Sequence, residues 1–337
     1  MRIALISTLA TPVRQEGSGS IEGLVWVLTR ELVKMGHEIT VFAAAGSETD
    51  GEIVATLPGV YGVNGSPGDW QVCEFINLSR AVQQSGRFDV LHSHNYLYGL
   101  ALQELSKAPM VHTMHLVGDE DYASLWKQYP DAFVSAISKY QWSAFPQLKP
   151  KAIIYHGVDS TQFTFQPRSD DYLCFLGRFI PGKGALQAIA VAKELGMRLV
   201  LAGPRNNYYE KFIKPFVDGK NIEYAGSVSG SKRDQLLGSA RAFLYPIQEP
   251  EPFGLVMVEA MMCGTPIVAM NIGAVPEIIN QGVTGYYAET SDEFAQSLEA
   301  VMNLDRKKVH QQASLRFSSE RMAQDYVEVY KKILSTT

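Results

Sequence analysis

Short apolar runs alternate along the whole chain with segments whose apolar residues recur at helical spacing, and this alternation restricts the fold more than any other feature. Each run is long enough for one strand buried on both faces, and each amphipathic segment can cover the sheet so formed, so the pattern predicts a parallel sheet wrapped in helices. In the first half, strands are expected at 2–7, 38–43, 88–92, 110–113, 132–136 and 152–155, and helices at 22–35, 71–84, 97–106 and 138–145. A Gly- and Pro-rich stretch, 45–68, reads as a connection without defined structure. The polar run STQFTFQPRSDD, within 159–171, breaks the rhythm and reads as a linker. Beyond it strands are expected at 172–176, 198–202, 221–224, 242–245, 267–270 and 285–287, and helices at 184–195, 209–217, 232–239, 291–302, 306–316 and 319–334. The fold class is therefore α/β, with two Rossmann-like domains facing across a cleft. In open sheets of this kind ligands bind beyond the carboxyl ends of the strands.

A length of 337 residues suits two domains, each with its own core. A hydrophobic fraction of 46% with 19% charged residues is that of a folded globular protein, and a net charge of −5 argues against nucleic acid as the main partner. Cys73, Cys174 and Cys263 are odd in number and set in apolar surroundings, which reads as reduced core thiols in a cytoplasmic protein. The first apolar run is too short for a signal segment, and no run approaches the ~20 residues that span a bilayer. The aromatic and basic stretch 139–151 could touch a membrane surface, but its aromatics at helical spacing suit a core, so membrane association is not indicated.

Chemistry concentrates in 246–269, PIQEPEPFGLVMVEAMMCGTPIVA, which reads as strand end, loop, helix and next strand. The backbone amides of Phe253, Gly254, Leu255 and Val256 lie at the start of the helix, where unpaired N–H groups and the dipole favour an anion such as phosphate. Glu251 precedes that point and Glu259 lies about 7 Å along the helix at ~1.5 Å per residue, so a molecule with a central phosphate and hydroxyls at both ends would fit. A nucleotide sugar has that form. Alternatively, Glu251 caps a helix and Glu259 is a solvated charge. Gly177 to Gly184 places Arg178 and Lys183 at the end of the second half's first strand, folded toward each other by Pro181-Gly182, where they could neutralise a departing diphosphate.

The loop Gly17-Ser18-Gly19-Ser20 before Glu22 and Gly23 departs from the dinucleotide G-x-G-x-x-G pattern, which disfavours a nicotinamide site. Its small residues either admit a phosphate to the backbone or form a surface loop. His92, His94, His112 and His115 fall at the ends of two neighbouring strands; without acidic or Cys partners at ligand spacing they do not read as a metal site. His94 and His115 are expected toward the cleft, with His92 and His112 in the sheet.

These residues carry a resemblance. The chain resembles the retaining glycosyltransferases of family 4, of GT-B fold. EPFGLVMVE (251–259) is similar to the family's E-x7-E signature and is followed by A-x-x-C-G-T-P, while Gly177-Arg178 and Lys183-Gly184 match its G-R-x-x-x-x-K-G. DVLHSH (89–94), Gly157-Val158-Asp159, Gly226 with Val228, GAVPE and GVTG match in the same order. The resemblance implies an acceptor-side domain at 1–160, a donor domain at 161–318, and a final helix, 319–337, returning to the first domain. It implies Arg178, Lys183, Glu251 and His115 as the catalytic set, with Arg178 and Lys183 on the diphosphate and Glu251 on the donor-sugar hydroxyls. Glu259 would hold the ribose, the 253–256 amides the sugar and phosphate, Val228 the base, and Gly19 and Ser20 the phosphate, with His94 on the acceptor side. Ser20 stands where relatives usually have a second Gly, and His156 where they usually have Asn.

Transfer would proceed with retention on one face of the sugar, without metal or cofactor, from a nucleotide-diphosphate sugar, most simply a UDP-sugar, to a saccharide or small hydroxylated acceptor. A GT-B epimerase or phosphorylase would need a carboxylate pair or a pyridoxal lysine with its motif, and a two-lobed sugar-binding protein would show no donor hydrolysis.

Overall fold

The computed structural model describes residues 1–16 and 20–336; Gly17, Ser18, Gly19 and Thr337 lie outside it. The chain forms two compact units, residues 1–157 with 319–337, and residues 158–318. The division falls at Gly157–Val158, just ahead of the polar stretch that reads as a linker.

In the first unit β1 (Arg2–Ile6), α1 (Ser20–Lys34), β2 (Glu38–Ala44), β3 (Glu52–Leu57), α2 (Trp70–Gln83), β4 (Val90–Ser93), β5 (Met110–Thr113), α3 (Glu120–Lys127), β6 (Phe133–Ala136) and β7 (Ala152–Ile153) follow in turn. They make a parallel sheet of order β3-β2-β1-β4-β5-β6-β7. The second unit runs β8 (Leu173–Leu176), α4 (Ala185–Glu194), β9 (Leu199–Ala202), β10 (Ile222–Tyr224), α5 (Gly230–Ser239), β11 (Ala242–Tyr245), α6 (Leu255–Met262), β12 (Ile267–Met270), α7 (Val275–Ile278), β13 (Gly285–Ala288), α8 (Ser291–Met302) and α9 (Arg306–Phe317). Its sheet, also parallel, has the order β10-β9-β8-β11-β12-β13. Strand order reverses between β1 and β4 in one unit and between β8 and β11 in the other. At such a switch point the loops leaving adjacent strands diverge to opposite faces and open a crevice, which is where a ligand fits.

The last helix, α10 (Ser319–Thr336), belongs to the first unit. Met322, Tyr326, Tyr330 and Ile333 recur at helical spacing and are buried with Leu24, Leu28 and Leu32 of α1. Each such side chain contributes about 1.5–3 kcal/mol on burial.

Several elements differ from the sequence expectation, each for a physical reason. Glu52–Leu57 is a strand inside the stretch expected to lack structure; it is an edge strand, half exposed, so Glu and Thr interrupt its apolar pattern. α3 was not expected; Asp119 caps it by accepting from Tyr122 N at 2.9 Å. Residues 98–105 form 3₁₀ turns instead of an α-helix, with Gly99 so close to His112 that a Cβ there would come within 2.7 Å of Nδ1. The expected helix at 138–145 is a single 3₁₀ turn, Tyr140–Trp142, ahead of Pro146. In 209–217 a π turn, Tyr209–Ile213, gives way to a 3₁₀ turn at Pro215, which lacks the N–H that would continue a helix.

Candidate active site

In the second unit the switch point brings together the loops after β8 and β11. Gln248 N donates to Gly182 O at 2.8 Å, and Gly184, at φ +76°, packs so tightly that a Cβ would lie 1.8 Å from Pro246 O. The two loops are thereby joined backbone to backbone. Lys183 at the end of one forms an ion pair with Glu251 of the other, and Tyr245 OH at the end of β11 donates to the second carboxylate oxygen. A third loop, after β12, fixes the Glu251 backbone: Ala274 N donates to Glu251 O at 3.1 Å, and a Cβ on Gly273 would sit 2.5 Å from that oxygen. The GAVPE segment therefore positions Glu251. Burial, assisted by the nearby Arg178 guanidinium, pulls the Lys183 ammonium down to about 8.

Phe253 is buried, its ring edge-on to Phe317 at 5.9 Å, so it contributes backbone and packing while its side chain is turned into the core. Gly254 adopts the left-handed conformation and opens α6, whose first turn has no side-chain cap. Leu255 and Val256 are half buried at that helix start. Glu259, in the second turn of α6, is no solvated charge: Arg233 of α5 meets it at 2.9 Å and stacks over Phe163 at 5.1 Å. Burial raises the Glu259 carboxyl and Arg233 opposes the rise. Val228 is half buried in the loop after β10, and Gly226 O in that loop accepts from Gly203 N at 3.0 Å. Arg205, exposed at the end of β9 over Tyr224 (5.0 Å), is a further cation that sequence reasoning missed, as it did Arg233 and Tyr245. A basic residue directly after Gly203-Pro204 at a strand end was the available signal.

In the first unit four histidine rings form a row. His92 lies tilted against His94 at 4.1 Å, while His94 stacks on His115 at 5.2 Å and His115 on His156 at 5.2 Å. His94 Nδ1 is 3.0 Å from His115 Nε2, and His115 Nδ1 is 3.4 Å from His156 Nε2. Burial holds the whole row neutral, with His115 down to about 3, so His115 can share a neutral hydrogen bond but cannot act as a cation. His94, expected to face the acceptor, is fully buried beneath its neighbours and supports His115 instead. His92 and His112 are buried in the sheet. No group of His, Cys, Asp or Glu able to hold a metal ion occurs among the described residues.

Two carboxylates shape the same end of the sheet. Glu22, the residue that breaks the dinucleotide pattern, is buried and accepts from Thr8 Oγ1 (2.8 Å), Ala10 N (3.0 Å) and Thr11 N (3.3 Å), which holds the loop leaving β1. Ser20 is exposed at the start of α1, and Gly19 lies outside the described residues. Glu74 of α2 accepts from Leu9 N at 2.9 Å and from Tyr61 OH and Asn95 Nδ2, tying the β1 loop to the residue after His94. Burial raises its carboxyl from 4.5 to about 7. A raised carboxyl contributes stability that is present below the unfolded value and is lost as pH rises through the folded one. Glu74→Gln is therefore expected to gain in melting temperature relative to the parent between pH 5 and pH 8. A parallel pair of melting curves across that range would refute the assignment.

A family model described as Glycosyltransferase Family 4 matches residues 21–161, and one described as Glycosyl transferases group 1 matches residues 160–316. The chain belongs to glycosyltransferase family 4. Among curated family relatives, the D-inositol 3-phosphate glycosyltransferase of Mycolicibacterium smegmatis is 27% identical, over 96% of this chain and 87% of that protein. Among solved structures, AviGT4, a glycosyltransferase involved in avilamycin A biosynthesis, is 25% identical with a TM-score of 0.75, covering 100% of this chain and 98% of its own. HepE of Anabaena, solved with UDP and glucose, superposes with a TM-score of 0.74 at 18% identity over 98% of this chain and 100% of its own. The chain is thus a glycosyltransferase of GT-B fold, built from two Rossmann-like units. No helix among the described residues is long and apolar enough to cross a membrane.

Proposed function

We propose that this family 4 glycosyltransferase moves a sugar from a nucleoside-diphosphate sugar, UDP-linked in the simplest case, to a hydroxyl of a saccharide or other small hydroxylated acceptor, with retention and without metal or cofactor. The observation that carries this reading is the Lys183–Glu251 pair, buttressed by Tyr245 and joined by Arg178, at the switch point of the second unit. The bond from the anomeric carbon to the diphosphate breaks as the acceptor oxygen bonds to the same face. The leaving phosphate oxygen takes the acceptor proton. Lys183 and Arg178 offset the charge that grows on the diphosphate, which is the work a metal would otherwise do. Glu251 orients the donor-sugar hydroxyls and Glu259, held by Arg233, the ribose. The amides of 253–256 face the phosphate, and Val228 borders the base. The UDP choice draws on HepE, and a phosphorylated cyclic polyol acceptor has a precedent in the name of the mycobacterial relative.

A thermal-shift panel of UDP, GDP and ADP tests the donor, since a ligand that binds only the folded state raises the midpoint. Proton NMR of the anomeric centre in donor and product tests retention, and turnover in excess chelator tests metal independence. An inverted product, or activity abolished by chelator and restored by a divalent cation, would overturn the corresponding part.

Lys183 also sets a pH limit. The ammonium is the working form and its value is lowered to about 8, so kcat/KM for donor falls as pH rises through 8. A bound diphosphate favours the cation, so the descending limb of kcat lies at higher pH. Lys183→Arg, which cannot deprotonate, is expected to lose the limb in kcat/KM. A limb unmoved in that variant would assign it elsewhere.

A further inference from the structure

Beside the histidine row, the first unit carries a group of aromatic rings at the margin of its core, against which Tyr98 and Tyr122 pack from one side. Trp70 opens α2 and lies 5.3 Å from Tyr96 between ring centres; Tyr96 lies 5.7 Å from Tyr98 and 6.5 Å from Tyr122, and Phe75 stacks on Tyr98 at 5.5 Å. Trp70 is 38% exposed and Phe75 44%, while Tyr96, Tyr98 and Tyr122 are half buried. Such rings bury large apolar area when they are covered, so an open group of five is a surface awaiting a partner.

Its location says which partner. Tyr96 follows Asn95 just beyond β4, at the carboxyl end of the strand that borders this unit's switch point. Its backbone is held at φ +51°, a left-handed conformation that a bulky residue rarely adopts; among the described residues only Asn64 shares it without being glycine. Strain of this kind, of order 1–3 kcal/mol, persists where the surroundings enforce it. Here they do: Tyr96 N donates to His94 O at 3.0 Å, and Asn95 is tied through Glu74 to Leu9. The ring is thus preset beside the loops leaving β1 and β4.

The charge around the rings is acidic. Glu74 and Glu22 act on Tyr96, and Asp119 acts on Tyr122. A groove of about 680 Å³, within the size range of small-molecule sites, runs on along α2 past Val72, Phe75, Ile76 and Leu102, with Asp69 and Arg80 as one charge of each sign in its lining. We propose that Trp70, Tyr96, Tyr98 and Tyr122 form a stacking platform for the acceptor ring, and that this acceptor is an uncharged pyranoside or cyclic polyol. The proposal rests on the glycosyl-transfer reading and specifies its acceptor. The apolar C–H face of such a ring lies on the negative faces of the aromatics, and its hydroxyls reach the tyrosine O–H groups. An anionic acceptor, such as the mycobacterial relative's name describes, would be disfavoured by the exposed Asp119 and, through the ring layer, by the buried Glu22.

Saturation-transfer NMR on the full chain with UDP present tests this, using methyl α-D-glucopyranoside, methyl β-D-galactopyranoside, myo-inositol and myo-inositol 1-phosphate as probes. At least one neutral ring is expected to take up saturation at its C–H protons and to bind more tightly than the phosphate ester. Trp70→Ala and Tyr98→Leu are each expected to weaken that binding about fivefold, Tyr98→Phe, which keeps the ring face and loses only the O–H, to weaken it by no more than about twofold, and all three to keep the parent's nucleotide-induced melting shift. Binding unaffected in both truncations, no uptake by any neutral ring, or a preference for the phosphate ester would overturn the platform. If neutral-ring binding is lost in the truncations while no nucleotide shifts the parent, the platform stands and the donor reading fails.

Discussion

Lys183→Ala is expected to lower kcat by about 10²–10³ while changing the affinity for the donor nucleotide far less. The asymmetry follows from where the charge is needed. On the proposed reading the diphosphate would already be spread over several contacts before reaction, among them Arg178 and the opening amides of α6. In the transition state further negative charge collects on the departing oxygen, and a preorganised, partly buried ammonium is worth more to that charge than to the ground state. Lys183 is only 17% exposed at its side chain, so solvent screens it weakly, and its carboxylate partner Glu251 keeps it aimed across the loop junction. Truncation removes the cation and leaves Glu251 facing Tyr245 alone, which also loosens the donor sugar. Single-turnover measurements with nucleotide binding measured separately distinguish the two effects. Unchanged turnover, or a loss seen wholly in donor affinity, would remove Lys183 from its role.

How much of this could be read from residues alone depends on the range of the interaction. The alternation of apolar runs identified the central strands because those strands are buried on both faces and each is nearly uniform in its own sequence. Edge strand β3 escaped, since half its side chains face outward and mix Glu and Thr among the apolar ones. The short helical turns near Pro146 and Pro215 were read as longer helices because periodicity outlasts the backbone donors that proline removes. Glu251 and Lys183 stood out as residues in strand-end loops, yet 68 positions in sequence separate them, and only the sheet order places one loop against the other. Arg233 was invisible for the same reason: it comes from α5, and nothing around it in the sequence marks it as the partner of Glu259. His92, His94 and His115 stood out as neighbours from strand-end spacing, but His156, the fourth ring of the row, did not, because it comes from a different segment beyond β7; the burial that keeps the rings neutral is likewise a property of the assembled unit, with Tyr330 of α10 on His92.

Gly184→Ala is expected to destabilise the second unit severely and to reduce turnover at least about tenfold, and the reason is geometric before it is energetic. At φ +76° an L-residue already loses about 1–2 kcal/mol. The added Cβ would also lie 1.8 Å from Pro246 O, and backbone on both sides leaves no flexible end to yield. The loops after β8 and β11 must then separate, breaking the Gln248 N to Gly182 O bond and drawing Lys183 away from Glu251. Gly196 provides the comparison, because it has φ +62° in the same unit but nothing within 4 Å of the place a methyl group would take. Gly196→Ala carries the conformational cost alone, so its melting temperature should fall by only about 2–6 °C and its activity should remain that of the parent. The difference between the two variants isolates the contact that joins the loops. Equal losses in both, or a Gly184→Ala enzyme with normal kcat, would show that the junction does not position the Lys183–Glu251 pair.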